Sequence, residues 1–157
     1  MQSNNDNLNQ DLIDFLRQDE LDYPGGAAKF GSAALPLLQE IIKSDDENLA
    51  TKAAYLAGYI KDDSTDQILS AAAENKFATV RIAAAFGAKK LKSGPAASAI
   101  LKKILDDNDA GVLKMGLKAV QDLKMTDQFK VRIKNISSAH QDEIIRLSAQ
   151  KLIKPDK

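Results

Sequence analysis

An all-α fold made of stacked helical hairpins is predicted by three observations. First, one segment recurs about every 32 residues: LATKAAYLAGYI (Leu49 to Ile60), VRIAAAFGAKKL (Val80 to Leu91), VLKMGLKAVQDL (Val112 to Leu123) and IRLSAQKLI (Ile145 to Ile153), with first residues 31, 32 and 33 positions apart. A fixed period of this size marks a stack of helical repeats, in which each unit buries its apolar stripe only against its neighbours. Second, Ala is abundant, aromatics make up 5% and Trp is absent, a composition that favours closely packed helices over strands. Third, four more apolar-periodic segments alternate with the recurring ones. Each unit therefore reads as a helix A, a turn, a helix B and a link. With 157 residues and 44% hydrophobic content, one continuous core is expected.

In chain order, residues 1–7 are polar and expected to form a disordered tail, followed by a single domain over residues 8–154. Leu8, Leu12, Ile13, Phe15 and Leu16 lie at helical spacing, so a first helix is expected over residues 8–20. Pro24, Gly25 and Gly26 then read as a stop and turn. Ala27 to Phe30 reads as a short helix and as the atypical end cap of the stack. The first helix A is expected from Ser32 to Lys43, with Pro36 tolerated only near its start. The second begins at STDQ, where Ser64 and Gln67 have the spacing of a capping box. The third begins at Gly94-Pro95 and the fourth near Thr126, carrying Phe129, Ile133 and Ile136. Pro155 marks the end of the last helix B. Gly58, Gly87 and Gly116 fall inside B helices at a cost of about 1 kcal/mol each relative to Ala, which close approach of a neighbouring helix would offset.

The recurring segments carry an acidic residue, two further positions, an aliphatic anchor, then a basic residue and an Ala pair. Val80-Arg81-Ile82-Ala83-Ala84-Ala85 fits best, with partial fits at Asp46 to Leu49 with Ala53-Ala54, at Asp109 to Val112 and at Asp142 to Ala149. This pattern resembles the HEAT repeat, in particular the short bacterial HEAT-like type also found in phycobilin lyases, over about residues 22–153. The resemblance implies a right-handed α–α superhelix of about four repeats plus the N-terminal cap, with B helices lining a concave face. It also implies a ladder of Asp–Arg pairs between repeats. Phe77 replaces the acid in the second repeat, and Ala50 and Leu113 replace the base in the first and third. Two rungs are then expected, Asp46 with Arg81 and Asp109 with Arg146, each contributing on the order of 0–1 kcal/mol near the surface.

With the anchors taken as core, positions 4, 7 or 8, and 11 residues further on are expected to be buried. The position six residues on faces outward, and it holds Tyr55, Phe86, Lys118 and Lys151. Tyr59, Lys89 and Lys114 flank this row. Together these seven residues form the expected partner-binding set. Two placements of Tyr55 and Phe86 are compatible with the register, as exposed anchors or as rings folded onto the next repeat.

Residues 1–78 carry a net charge of −8 and residues 79–157 a net charge of +8. The even reading is a difference between solvated surfaces; the functional one is a basic C-terminal half that steers an acidic protein partner. No catalytic constellation is visible. His140 is the only His and reads as a loop or capping residue, and no nucleophile elbow, phosphate-binding loop or dinucleotide fingerprint occurs. The acidic runs at Asp45 and Asp106 lack calcium-loop spacing and suit helix N-termini, so no metal or cofactor is expected. Nucleic acid is disfavoured despite Lys89, Lys90, Lys92, Lys102, Lys103, Lys114 and Lys118, because Arg is scarce and Trp is absent. Without Cys, a leader or a long apolar run, the chain is expected to be cytoplasmic and not membrane-inserted. The reading is a non-enzymatic protein-interaction module, either an adaptor or an inhibitor or immunity-type partner. The alternative is a chaperone-like accessory of an enzyme system, such as a bilin-lyase-like protein.

Overall fold

The computed structural model describes residues 2–91 and 93–153; Lys92 and Pro155, invoked above, lie outside the described residues. The described chain contains helices and turns throughout, and among these residues no strand forms. Helix α1 spans Gln2–Leu16 and α2 spans Tyr23–Phe30, followed by a 3-10 turn, Gly31–Ala34. Four hairpins follow: α3 (Leu35–Ile42) with α4 (Glu47–Tyr59), α5 (Ser64–Ala72) with α6 (Ala78–Ala88), α7 (Gly94–Leu105) with α8 (Ala110–Asp122), and α9 (Lys130–Ala139) with α10 (Glu143–Ile153). The B helices α4, α6, α8 and α10 pack successively side by side, and α3, α5 and α7 do the same in the A layer.

Three of the four anchors take their expected core places, Val80, Val112 and Ile145, whereas Leu49 is only half-buried. Ala53, Ala57, Ala84, Ala88 and Val120 are fully buried at the expected spacing. The helical glycines are sites of close approach. A Cβ at Gly58 would lie 3.1 Å from Gly87 Cα, and one at Gly116 would lie 2.6 Å from an Ile104 methyl. The small residues thus set the spacing between layers, and the buried Leu and Ile of the A helices fill the space behind them.

One turn design recurs. Asp46, Asp109 and Asp142 cap the B helices, their carboxylates accepting from the backbone N–H of the anchors Leu49, Val112 and Ile145 at 3.1, 3.0 and 3.3 Å. Two residues before the cap, a second acceptor receives the cap residue's own N–H. Ser44 Oγ, Asn75 Oδ1, Asp107 Oδ1 and His140 Nδ1 play this part at 3.4, 2.9, 2.9 and 3.0 Å. Phe77 cannot cap, so Asn75 alone serves the second turn.

The acidic residues being caps, neither expected rung forms. Arg81 pairs with Asp107 of the following turn, at 2.7 Å from Nε and 3.3 Å from Nη2, not with Asp46. Arg146 donates to the His140 carbonyl at 2.7 Å, not to Asp109. Other ion pairs join neighbouring repeats: Lys76 with Asp45, Lys89 with Asp122 at 3.3 Å, Lys103 with Glu74 at 3.3 Å and Arg132 with Asp106 at 3.1 Å. Every repeat junction carries at least one. The cations vary in position, which is why the Asp–Arg spacing misplaced them.

Several boundaries differ from expectation. Helical backbone begins at Gln2, six residues before Leu8, so residues 2–7 are helical where a tail was expected, and α1 stops at Leu16, not residue 20. Pro24, Gly25 and Gly26 do not form a turn. They lie in the first turns of α2, where Pro24 occupies an early helical position and Asp22 caps by accepting from Gly25 N–H at 3.0 Å. Gly26 takes no side chain because Phe15 sits where its Cβ would be. The Ser64–Gln67 capping box does not form: Asp62 accepts from both the Ser64 N–H and hydroxyl, at 2.9 and 2.7 Å, and Ser64 is already helical. Helix α9 starts at Lys130, four residues after Thr126, because α8 ends in a Schellman turn. There Met125 N–H reaches Val120 O at 2.9 Å and Lys124 adopts φ 59°. At the N-terminal end, α1 and α2 pack against α4 and cover the stack, with Leu12 and Leu16 fully buried and Phe15 edge-on to Phe30 at 5.7 Å.

Candidate protein-binding face

The seven expected partner-binding residues separate into two groups on the B layer. Tyr55, Tyr59, Phe86 and Lys89 come together across α4 and α6, and α2 adds Tyr23. The Tyr23 and Tyr59 rings stack at 5.9 Å, and Tyr23 meets Tyr55 at 5.8 Å. Tyr55 meets Phe86 edge-on at 5.6 Å, and Tyr59 meets Phe86 at 6.3 Å. Such spacings suit favourable aromatic pairs, each contributing about 0.5–1.5 kcal/mol beyond its area. Lys90 Nζ lies over the Tyr59 ring at 4.3 Å, and Lys89 Nζ lies over Phe86 at 4.6 Å. All four rings are half-buried. Tyr55 and Phe86 thus satisfy both sequence readings in part: one side of each ring packs on the neighbouring repeat, and the other remains on the surface.

Burial raises the ionisation of the Tyr23 and Tyr55 hydroxyls above the ordinary tyrosine value, with smaller contributions from neighbouring phenols. These phenols therefore remain neutral hydrogen-bonding groups at neutral pH, set on an apolar ledge.

Lys114, Lys118 and Lys151 form the second group. They rim a groove of about 270 Å³ between α8 and α10, with Leu117 and Leu152 in its lining beside Gln121 and Ser148. All three lysines are exposed. Among the described residues none of them makes an ion pair, and no carboxylate lines the groove. Positive charge concentrated over an apolar floor attracts carboxylates. Lys89 connects the two groups, since it covers Phe86 and also pairs with Asp122 at the end of α8.

The sequence reading missed Tyr23, Lys90 and the groove leucines. For Tyr23 a signal existed: Asp22 three residues before Gly25, with Pro24 between, is an N-cap followed by an early helical proline. Its stacking on Tyr59 depends on how α2 crosses α4, which carries no local signal. His140 serves as a turn acceptor, consistent with the capping role expected of it. Among the described residues no group of three His, Asp or Glu side chains could hold a metal ion, and no helix is long and apolar enough to cross a membrane.

No curated protein matches the chain. A family model for HEAT repeats matches residues 31–121, more than half of the chain. That span covers the first three hairpins, in which the anchors, the small-residue contacts and the capped turns recur, and on these grounds the chain belongs to the HEAT-repeat family.

Proposed function

We propose that this protein is a cytoplasmic, non-enzymatic interaction module, an adaptor or an inhibitor of a partner protein, that binds through its B-helix face. HEAT repeats are generally protein-interaction scaffolds, and this face carries the chemistry for such a role. The observation that carries the reading is the pairing of a half-buried aromatic ledge with a cationic groove on one helical layer. Aromatic side chains that are already packed lose little conformational freedom on binding and make effective anchors. Lysines that form no ion pair among the described residues add long-range attraction and selectivity for an acidic protein. The partner then places apolar side chains on Tyr23, Tyr55, Tyr59 and Phe86 and carboxylates on Lys114, Lys118 and Lys151.

The test is capture of partners by the immobilised chain at low and high salt, with mass spectrometry of what is retained. The same protein should be retained by the wild type, lost with Lys114→Glu/Lys118→Glu/Lys151→Glu, and weakened by Phe86→Ala. Partners retained equally by all three chains would place binding elsewhere and overturn the reading.

A further inference from the structure

The two ends of the described stack are unlike, and the hairpin α9–α10 repeats forward-reaching groups of earlier ones without a further described helix packed against them. Two residues past their anchors, Thr51 Oγ1 donates to Thr79 Oγ1 of the next B helix at 2.8 Å, and Ile82 lies against Gly111 of the next. Leu147 holds this position in α10 and is 48% exposed. One residue past its anchor, Arg81 donates back to the Asn75 carbonyl at 2.9 Å and forward to Asp107. Arg146 makes the corresponding backward bond to His140 O, and among the described residues no carboxylate pairs with it. Ile144, beside them, is 65% exposed.

The N-terminal end has complementary features. Leu8, Ala33, Pro36 and Leu37 line a groove of about 290 Å³, with Asn9 and Glu40 also in its lining. The N-terminal segment that includes Leu8 and Asn9 is acidic, with six carboxylates from Asp6 to Asp22 against the single Arg17. We propose that the C-terminal end of one molecule docks head-to-tail on the N-terminal end of a second copy. Ile144 and Leu147 enter the groove against Leu8, Pro36 and Leu37, and Arg146 and Lys151 meet Glu40 and carboxylates of the acidic N-terminal segment. This contact continues between molecules the forward Arg-to-carboxylate pairing that Arg81 makes within one. Because the two surfaces differ, the contact is heterologous and does not close on itself, so short open chains grow with concentration. The opposite charges of the two ends steer the encounter and make it sensitive to salt.

Sedimentation velocity of the full chain tests this directly. Self-association should appear at about 50 mM salt and weaken at least about tenfold at about 500 mM, as screening shortens the reach of the charges. Leu147→Glu should give monomers, and so should Asp11→Lys/Glu40→Lys; all three positions are exposed. Mixing these two variants should restore a one-to-one dimer and nothing larger, because one intact knob and one intact groove remain. A wild type that stays monomeric to about 1 mM at low salt would overturn the proposal. Association that survives Leu147→Glu, or variants that fail to pair when mixed, would do the same.

Discussion

Along α4 and α6 the outward position six residues past the anchor carries Tyr55 and Phe86; along α8 and α10 it carries Lys118 and Lys151. The backbone geometry of the position is the same, yet the two regions meet their needs differently. In the first, rings pack on rings across repeats, and Lys89 and Lys90 settle over ring faces. Those cations are used internally. In the second, the lysines engage no ring or carboxylate among the described residues and rim an open groove. One solenoid face, uniform in register, is thus divided into a region whose rings and cations engage one another across repeats and a region whose lysines form no ion pair among the described residues.

The largest effect should come from filling the contact beneath the aromatic region. A Cβ at Gly87 would lie 2.8 Å from Leu69 Cδ1 and 3.5 Å from Gly58 Cα. Gly87→Leu should therefore cost about 3 kcal/mol or more by overpacking, visible as a lower midpoint in denaturant. If it proves neutral, α4 and α6 are free to move apart and the ledge is not fixed by the small-residue contact. Phe86→Ala removes a half-buried ring with two aromatic neighbours, and a loss of about 2 kcal/mol is expected. A cost near zero would make the first region resemble the second.

The arginines sharpen the comparison between an internal junction and the end of the stack. Arg81 and Asp107 side chains are only 19% and 12% exposed, so Arg81→Gln should cost about 1–2 kcal/mol. Arg146→Gln, which removes only a bond to a carbonyl of its own turn, should cost less than about 1 kcal/mol. Equal losses in thermal melts would show that the forward pair adds nothing. In the cationic region, Lys114→Gln/Lys118→Gln/Lys151→Gln should change stability by less than about 0.5 kcal/mol; a larger drop would assign those lysines to the fold.

High pH provides a last contrast. The Tyr23 and Tyr55 hydroxyls ionise above the ordinary tyrosine value in the folded state. Their contribution is then complete below the unfolded tyrosine value and is lost as pH rises through the folded one. Alkaline unfolding should therefore be delayed in Tyr23→Phe/Tyr55→Phe relative to the wild type, whereas the triple Lys→Gln change should leave the difference intact. Unfolding curves recorded between neutral and strongly alkaline pH decide this.

Much of the architecture was legible in the sequence because stacking imposes a period. The anchors and the residues four and eight positions on from them must be apolar or small for helices to pack, and Val80, Ala84 and Ala88 show this. Proline and glycine at Gly94-Pro95 marked a helix start, where Ser93 caps by accepting from Ala96 N–H at 3.2 Å. The same residue types misled at Pro24, because proline suits both a turn and the first turn of a helix, and only the Asp22 cap distinguishes the two. The strained Lys124 had no signal, since glycine usually fills that left-handed position. The outward row itself was legible from helical spacing.

The amino-acid sequence by itself determined the class of fold, the repeat length, the buried stripes and the uneven charge, because each follows from local periodicity and composition. The tertiary structure alone decided which charges pair. Arg81 chooses Asp107 over Asp46 because Asp46 already caps α4 and because the guanidinium, held from behind by the Asn75 carbonyl, extends toward the following turn. It alone brought Tyr23 onto Tyr59 and gathered Lys114, Lys118 and Lys151 around one groove. Pairing and clustering depend on distances between residues about 30 positions apart, and those distances exist only once the repeats are stacked.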